Sequence, residues 1–260
     1  MPFVKTDKAE IYYEVHGEGS PIVLAHGAGG NTLVWWQQIA QFARTHKVVA
    51  FDHRGWGRSK CQPEHKHARY FADDMRAVMD DAGIERAAII CQSMGGWTGM
   101  RFALANPERV SCMVLSGTPG GVQTPSVIEA RQARARSRTI DLDRPIPWNE
   151  PHLALAPDAF DKEAAMAFLY RQMSGLNPPI GDTGTGDIGV SPEGLSDYAI
   201  PTLMVAGAQD RIFPLAVLRE VSQVIPGAQL YIIGEAGHSP YFETAEEFNN
   251  VVGAFISEYP

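Results

Sequence analysis

The sequence of 260 residues has few cysteines and no excess of basic residues. Its three cysteines, Cys61, Cys91 and Cys112, lie far apart without CxxC spacing, so the sequence indicates neither a disulfide framework nor a zinc site. A net charge of -8 at pH 7 gives no electrostatic reason to bind nucleic acid or an anionic membrane. We therefore expect no partner of either kind.

Two further features are missing from the sequence: an apolar run of membrane-spanning length and an export signal. The first residues, MPFVKTDKAEIYY, contain neither a basic segment leading into an apolar core nor a small-residue cleavage site. We expect a cytoplasmic protein. A hydrophobic content of 45% over this length is enough to bury a full core, which favours one large α/β domain with an insertion.

Strand-like and helix-like segments alternate along most of the chain. Short apolar runs such as PIVLAHG and RAAIICQS are separated by amphipathic stretches such as HARYFADDMRAVMDDAGI. Continuous runs of Val, Ile and Leu between amphipathic helices are typical of a parallel sheet that is covered on both faces. The sequence therefore predicts an α/β fold.

The alternation stops between Pro119 and Asp197. This segment contains two helical stretches and the run GDTGTGDIG, for which a flexible loop is favoured over a phosphate loop because no strand precedes it. Long insertions of this kind are usually lids or mobile loops. We expect a core formed by residues 1–118 and 198–260, with a cap formed by residues 119–197.

The stretch IICQSMGGW, residues 89–97, has the order of a nucleophile elbow: a buried strand, a tight turn that holds a serine, and a helix. Small residues are needed two positions before and two after the serine, where strand and helix approach closely. Gly95 meets the second requirement, and Cys91 stands at the first. A buried thiol has a raised pKa and is a poor nucleophile, so we expect Ser93 to be the nucleophile and Cys91 to have a packing role.

A serine nucleophile needs a histidine base and a carboxylate that orients it, and where the serine lies on a nucleophile elbow the chain order is Ser, then Asp or Glu, then His. The apolar run PTLMVAGAQD ends at Asp210, and LYIIGEAGH ends at His238. Singly, these residues could be a helix cap and a surface histidine, but their coincidence with the elbow favours a triad of Ser93, Asp210 and His238. Glu235 is a weaker candidate for the acid, because it lies on the same loop as the histidine.

An acyl-transfer site also needs backbone N–H groups that stabilise a developing oxyanion. We expect one from Met94, which follows the nucleophile, and a second from Ala28 in the glycine-rich stretch VLAHGAGG. Without the elbow, that stretch would be interpreted as an ordinary glycine turn.

Five motifs spread between His26 and Glu243, HGAGG, DHRGWGRS, CQSMGG, GAQD and GHSPYFE, together resemble the α/β-hydrolase superfamily, in particular its single-domain serine members that carry a cap. This resemblance implies an eight-stranded, mostly parallel sheet flanked by helices, with a helical cap inserted after the sixth strand. The sequence departs from the family pattern at Cys91, where relatives usually have glycine, and at ETAEEF, where they often have proline after the glutamate.

The resemblance also narrows the chemistry. Members that open epoxides or displace halide have a carboxylate at the elbow, and hydroxynitrile lyases have a lysine beside the histidine; this chain has neither. We predict hydrolysis of a small-molecule carboxylic ester or lactone through an acyl-enzyme. Hydrolysis of a carbon–carbon bond in a vinylogous diketone is the alternative, and a ligand receptor that retains the triad is a second one. We expect no organic cofactor and no metal, since His65 and His67 lie in a loop without further ligands.

The substrate pocket is the least determined part of the site. Aromatic and apolar residues near the catalytic loops or in the cap are candidates to line it, although packing in the core explains the aromatics equally well. These candidates are Trp35, Trp36, Trp97, Phe213, Tyr241, Met166 and Leu169, with Val127 and Ile128 as further apolar residues of the cap. Arg131, Arg134 and Arg138 share a face of the first cap helix, which either attracts an acidic substrate or is a solvated surface, and the second interpretation is favoured.

Overall fold

The computed structural model describes residues 2–137, 147–150, 152–178 and 183–260. Eight strands form one sheet in the order β1-β2-β4-β3-β5-β6-β7-β8, and a two-residue strand, Lys60–Cys61, pairs with β2 in addition. Among the eight strands the β1–β2 and β2–β4 pairs are antiparallel and the other five pairs are parallel, and the two-residue strand also pairs with β2 in an antiparallel manner. The strands are β1 (Phe3–Thr6), β2 (Ala9–His16), β3 (Ser20–Ala25), β4 (His46–Phe51), β5 (Ala87–Gln92), β6 (Val110–Ser116), β7 (Thr202–Gly207) and β8 (Gln229–Ile233). The predicted eight-stranded, mostly parallel sheet is confirmed.

Helices follow the strands in the alternating pattern that the sequence predicts. Their bounds are α1 (Trp36–Phe42), α2 (Phe71–Asp81), α3 (Gly95–Ala105), α4 (Pro125–Ser137), α5 (Ala159–Gly175), α6 (Leu215–Val224), α7 (Pro240–Glu243) and α8 (Ala245–Ser257). In α2 the predicted apolar face, which includes Phe71, Met75 and Val78, is buried against the core. The helix ends just before Gly83, whose φ of +64° is the left-handed conformation that glycine adopts readily.

The central strands explain why apolar runs are so continuous in this sequence. Every residue of β5, β6 and β7 is buried, since helices cover both faces of the sheet there. Among the described residues, no helix is both long and apolar enough to cross a membrane.

The segment between β6 and β7 contributes α4, α5 and a 3-10 turn, Pro192–Leu195, and adds no strand to the sheet within its described residues. We call this segment the cap. Its two ends meet near the sheet, where Gln123 N donates to Val190 O (2.8 Å) and Val190 N donates to Gly121 O (2.9 Å). The chain therefore enters and leaves the cap at one place, where these two backbone hydrogen bonds join its ends.

Candidate active site

The turn after β5 places Ser93 in a strained conformation. Its φ is +48°, the left-handed region that a non-glycine residue seldom adopts, and such strain costs about 1–3 kcal/mol. Two backbone hydrogen bonds hold the turn: Ser93 N donates to Ser116 O (3.0 Å), and Gly96 N donates to Ser93 O (2.9 Å). The serine therefore stands at the tip of a tight strand-to-helix turn, directly before α3.

Cys91 lies below this turn and is fully buried. Burial raises the pKa of its thiol far above the usual range, because a thiolate would lose its hydration there. The thiol packs against Gly99 of α3, where a Cβ atom would clash with Cys91 Sγ. The space that an elbow glycine normally provides on the strand is thus provided here by a glycine on the helix.

A buried histidine and a buried carboxylate meet after β7 and β8. His238 Nδ1–H donates to Asp210 Oδ2 (2.8 Å), while Asp210 Oδ1 accepts from the N–H groups of Ile212 (2.7 Å) and Phe213 (2.9 Å). Within the part of the chain that the structure describes, His238 Nε2 is buried without a hydrogen-bond partner. Glu235 is 80% exposed and lies 3.8 Å from Lys162 Nζ, so it does not orient the imidazole.

The serine turn and the histidine loop are linked directly. Gln92, the residue before Ser93, donates from Nε2 to the carbonyl of His238 (3.2 Å). Gly117, which follows β6, lies so close to the histidine that a Cβ atom would come 3.2 Å from His238 Nδ1. The two loops therefore meet at the carboxyl edge of the parallel strands, where sites in such sheets form.

We call residues 27–30, which contain the predicted oxyanion donor Ala28, the oxyanion loop. This loop lies against Ser93, since a Cβ atom at Gly27 would come 2.9 Å from Ser93 Cβ. The carbonyl of Gly27 accepts from Gly30 N (2.9 Å) and from His26 Nδ1–H (2.7 Å). In a trans peptide the N–H points away from the preceding C=O, so the Ala28 N–H faces the side opposite to these donors.

A neutral histidine and an indole support this loop from behind. Burial lowers the pKa of His26, so the neutral ring can donate from Nδ1 while Nε2 accepts from His53 N (3.0 Å). Trp56 Nε1 donates to the carbonyl of Ala28 (2.8 Å). Met94 lies at the amino end of α3, and the neighbouring Gly95 packs so closely on Ala25 O that a Cβ atom would clash there. The two predicted oxyanion donors thus lie on adjacent, closely packed loops.

Three polar side chains of the cap cover the oxyanion loop, and no sequence pattern predicts them. A Cβ atom at Gly29 would come 3.4 Å from Ser174 Oγ, 3.6 Å from the Tyr170 hydroxyl and 3.8 Å from His152 Cε1. Tyr170 is buried, and its hydroxyl accepts from Ser239 Oγ (3.3 Å), beside the catalytic-loop histidine. Burial raises the pKa of Tyr170 to about 12 and lowers that of His152 to about 4, so both groups are uncharged near pH 7.

Glu243 connects the cap to the histidine loop. One carboxylate oxygen accepts from Ala156 N in the cap (2.6 Å), and the other accepts from Gly237 N (2.9 Å) and Ser239 N (3.2 Å). Burial raises the pKa of this carboxyl, and the three N–H donors favour its charged form. The motif GHSPYFE contains this residue, but nothing in the motif predicts a contact with the cap.

The predicted pocket residues separate into two groups. Trp97 and Phe213 approach the histidine, with ring centroids 6.2 Å apart and Phe213 6.1 Å from the His238 ring. By contrast, Trp35 and Tyr241 are fully buried and pack on each other (4.6 Å), as core residues do. Trp36, at the start of α1, is 44% exposed.

The predicted apolar lining residues of the cap lie in different surroundings. Met166 lines a cavity of about 380 Å³ together with Phe242 and Glu243, and none of the three proposed catalytic residues lines that cavity. Leu169 is partly buried against the core, and Ile128 is 42% exposed, whereas Val127 is buried. The side chains of α5 that approach Gly29 are the polar groups of Tyr170 and Ser174, and the substrate-facing role of Met166 and Leu169 stays a prediction.

Arg131 of the first cap helix and His67 of the EHKH stretch contact nearby side chains. Arg131 lies over the Trp97 ring (5.7 Å), Arg134 is partly buried, and Arg138 falls outside the described residues. His67 Nε2 lies 3.4 Å from an Asp187 carboxylate oxygen. No group of three His, Cys, Asp or Glu side chains in the described ranges is arranged to hold a metal ion.

A mostly parallel sheet with a strained serine after β5 and a histidine–carboxylate pair after β7 and β8 defines a hydrolase of the α/β type. The chain belongs to the alpha/beta hydrolase fold family, whose model matches residues 20–245. The predicted family is confirmed.

Relatives with different activities cover nearly the whole chain. It is 30% identical to "Putative carbamate hydrolase RutD" of Azorhizobium caulinodans, over 99% of both chains. It is 29% identical to 2-hydroxymuconate semialdehyde hydrolase of Pseudomonas putida, over 93% of this chain and 89% of the relative. Among solved structures, Est816, described as an N-acyl homoserine lactone degrading enzyme, is 29% identical with a TM-score of 0.79, covering 98% of this chain and all of the other. The family is thus fixed, and the bond that is cleaved is not.

Proposed function

We propose that this protein hydrolyses a carboxylic ester or lactone through an acyl-enzyme on Ser93. The observation that carries the proposal is the buried His238–Asp210 pair, whose second imidazole nitrogen has no partner among the described residues, on a loop that Gln92 links to the turn of the left-handed Ser93. A base with one nitrogen fixed by a carboxylate and the other available is the arrangement that activates a hydroxyl group.

The geometry supports the following sequence of steps. His238 Nε2 takes the proton from Ser93 Oγ as the oxygen attacks the substrate carbonyl, and Asp210 holds the ring in the tautomer that this requires. The N–H groups of Ala28 and Met94 stabilise the oxyanion. Collapse of the tetrahedral intermediate expels the alcohol, which receives the proton from His238. Water then attacks the acyl-enzyme with the same base, and the carboxylic acid leaves.

Ser93 can be tested directly with a fluorophosphonate, which reacts with an activated serine. We expect one label on the wild-type protein and none on Ser93→Ala, whose ester turnover falls by a factor on the order of 10⁶, as in a well-studied serine protease. Cys91→Ala is the matched control two residues away, and it should retain labelling because its buried thiol packs against Gly99 and Met113 inside the core. Persistent labelling of Ser93→Ala would place the nucleophile elsewhere.

Cleavage of a carbon–carbon bond is the second candidate, and the similarity to 2-hydroxymuconate semialdehyde hydrolase favours it. The same acyl-enzyme would form, but the proton would pass to a carbon leaving group instead of an alcohol oxygen. A carbamate is a further carbonyl substrate for this machinery, given the relative that carries that name. A panel of p-nitrophenyl esters, lactones, carbamates and vinylogous diketones separates these reactions by their kcat/KM values.

A ligand receptor with a retained triad is the non-enzymatic alternative. It predicts that a ligand from the same panel raises the unfolding temperature while turnover is absent. Turnover of any member that depends on Ser93 supports the enzyme instead.

A further inference from the structure

The oxyanion loop depends on side chains from other parts of the chain. Three of its four residues, Gly27, Gly29 and Gly30, have no side chain that could pack and restrict the backbone. Its first two carbonyls are held by His26, Gly30 N and Trp56, as described above. The last two, those of Gly29 and Gly30, both accept from a single group, Asn177 Nδ2, at 3.2 and 3.1 Å.

The other end of the Asn177 amide is equally engaged. Its Oδ1 accepts from Asn31 Nδ2 (3.2 Å) and from Gly57 N (3.2 Å). An amide side chain can donate two hydrogen bonds and accept two, so this one is fully used. These partners also fix the orientation of the amide. If it were flipped, its NH₂ group would face the N–H donors of Asn31 and Gly57, and its oxygen would face the two loop carbonyls.

Asn177 belongs to the cap, two residues beyond the end of α5 at Gly175. Asn31 strengthens the same junction, since its Nδ2 also donates to the carbonyl of Met173 in α5 (3.3 Å). The end of the second cap helix is thereby tied to the oxyanion loop through side-chain amides. This junction joins residues that are about 150 positions apart in the sequence.

We propose that Asn177 is a positioning residue that holds the oxyanion loop in its working conformation and couples it to the cap. The inference rests on the proposed acyl-transfer function. Asn177 acts through the loop and does not contact the reacting atoms, because all of its hydrogen-bonding capacity is used within the protein. An oxyanion hole works only when its N–H groups are fixed in advance at the position of the oxyanion, and a glycine-rich turn that loses two of its donors no longer fixes them.

The decisive variant is Asn177→Asp, which is nearly the same size. Its carboxylate still accepts from Asn31 and Gly57, but it turns an oxygen instead of an NH₂ group toward the carbonyls of Gly29 and Gly30. Losing a direct oxyanion donor costs roughly 10²–10³ in kcat, so disturbing the loop should lower kcat on p-nitrophenyl acetate roughly ten- to a hundredfold. KM should change by less than about threefold, since uniform binding is retained.

A second measurement reports on the oxyanion hole itself. A boronic acid forms a tetrahedral adduct on an activated serine and places an oxygen in the hole, so its affinity should fall by the same factor as kcat. Arg171→Met is the matched control: it removes hydrogen bonds to the carbonyls of Pro147 and Trp148 within the cap and leaves the oxyanion loop untouched. It should lower the unfolding temperature while the boronic-acid affinity stays at the wild-type value.

The possible outcomes distinguish a failure of the positioning role of Asn177 from a failure of the proposed hydrolase function. If folded Asn177→Asp keeps the wild-type kcat and boronic-acid affinity, or if Arg171→Met loses both to the same extent, the positioning role is overturned. If Asn177→Asp does not fold, Asn177→Ser, which also lacks the two donors, is measured in the same way. A wild-type protein that turns over no member of the substrate panel refutes the proposed function instead.

Discussion

The histidine loop, residues 237–239, and the oxyanion loop, residues 27–30, are stabilised by groups of opposite hydrogen-bonding character. The histidine loop presents two N–H groups to the protein interior, and the carboxylate of Glu243 accepts from both. The oxyanion loop presents carbonyls, and donors from Trp56 and Asn177 satisfy them. The direction in which each backbone points thus determines the side chain that can hold it, because buried backbone groups must be paired.

Both loops are also attached to the cap. Glu243 accepts from Ala156, and Asn177 is itself a cap residue. The cap helix α5 buries only Ala167 and Tyr170 along its 17 residues, whereas the core helix α6 buries three of ten. Helix α5 therefore adds few fully buried side chains to the core, and the polar contacts of the cap with the two loops add to its attachment. We expect a change in either loop to be felt in the other through the cap.

Among changes to the groups that hold the two loops, the largest loss of kcat should come from Asp210, the residue after β7 that holds His238. Asp210→Asn should lower kcat by a factor on the order of 10⁴, as in the best-studied serine triad, because the amide favours the wrong imidazole tautomer. The fold should remain intact, since asparagine can still accept from Ile212 and Phe213. Steady-state kinetics on p-nitrophenyl acetate measures this loss.

Glu235→Gln is the control for that experiment. It removes a carboxylate three residues from the histidine, but one that is exposed and near Lys162. Its kcat should stay close to the wild-type value. Similar turnover of Asp210→Asn and wild type would mean that another group orients His238.

The next effect should come from the cap side of the same loop. In Glu243→Gln one carboxylate oxygen becomes an NH₂ group, which cannot accept from the buried N–H groups that the oxygen now serves. Leaving a buried donor unsatisfied costs about 1–3 kcal/mol, so urea unfolding should show a loss of that size. The kcat loss should be smaller than for Asp210→Asn, since the imidazole keeps its carboxylate. Glu246→Gln, an exposed change in α8, should alter neither quantity. An unfolding free energy within about 0.5 kcal/mol of wild type would contradict a stabilising link through Glu243 between the cap and the histidine loop.

The core and the cap also differ in how far the sequence predicts them. The sheet and its order of loops follow from local patterns: apolar runs for β5 and β7, and a small-residue requirement around Ser93. Asp210 and His238 were predicted from their places after strands, and the structure brings them within 2.8 Å; their catalytic role remains a prediction.

The contacts of the cap could not be predicted in the same way. Asn177 and Tyr170 meet core residues far away in the sequence, and a polar contact of this kind leaves no periodic pattern. The need for glycine at position 99 likewise becomes clear only from the structure, in which Cys91 lies against it. The predicted substrate-facing role of Met166 rests on apolar character alone, which does not reveal which face of a helix lies toward the site, and it stays a prediction.

The smallest effect should appear in the pH dependence of stability, at the cap group beside the oxyanion loop. Burial, assisted by electrostatic interaction with His238 and nearby arginines, lowers the pKa of His152 from 6.5 to about 4. The unfolded chain then binds a proton that the folded protein resists, so stability should fall as the pH decreases from about 6.5 toward about 4. His152→Gln removes this contribution, and its unfolding free energy should decrease less than that of wild type between about pH 7.5 and about pH 5.

The comparison must be a difference between the two proteins, because other buried groups titrate in both. His26 and His53, whose pKa values burial also lowers, add a slope of the same sign, and the Glu243 carboxyl, whose pKa is raised, adds one of opposite sign. These contributions cancel when the variant is subtracted from the wild type at each pH. Urea unfolding curves measured across the range provide that subtraction. A constant difference would show that His152 takes up its proton equally well in the folded and unfolded chains, and that the cap does not enclose it as tightly as its contacts with Tyr170 and Gly29 require.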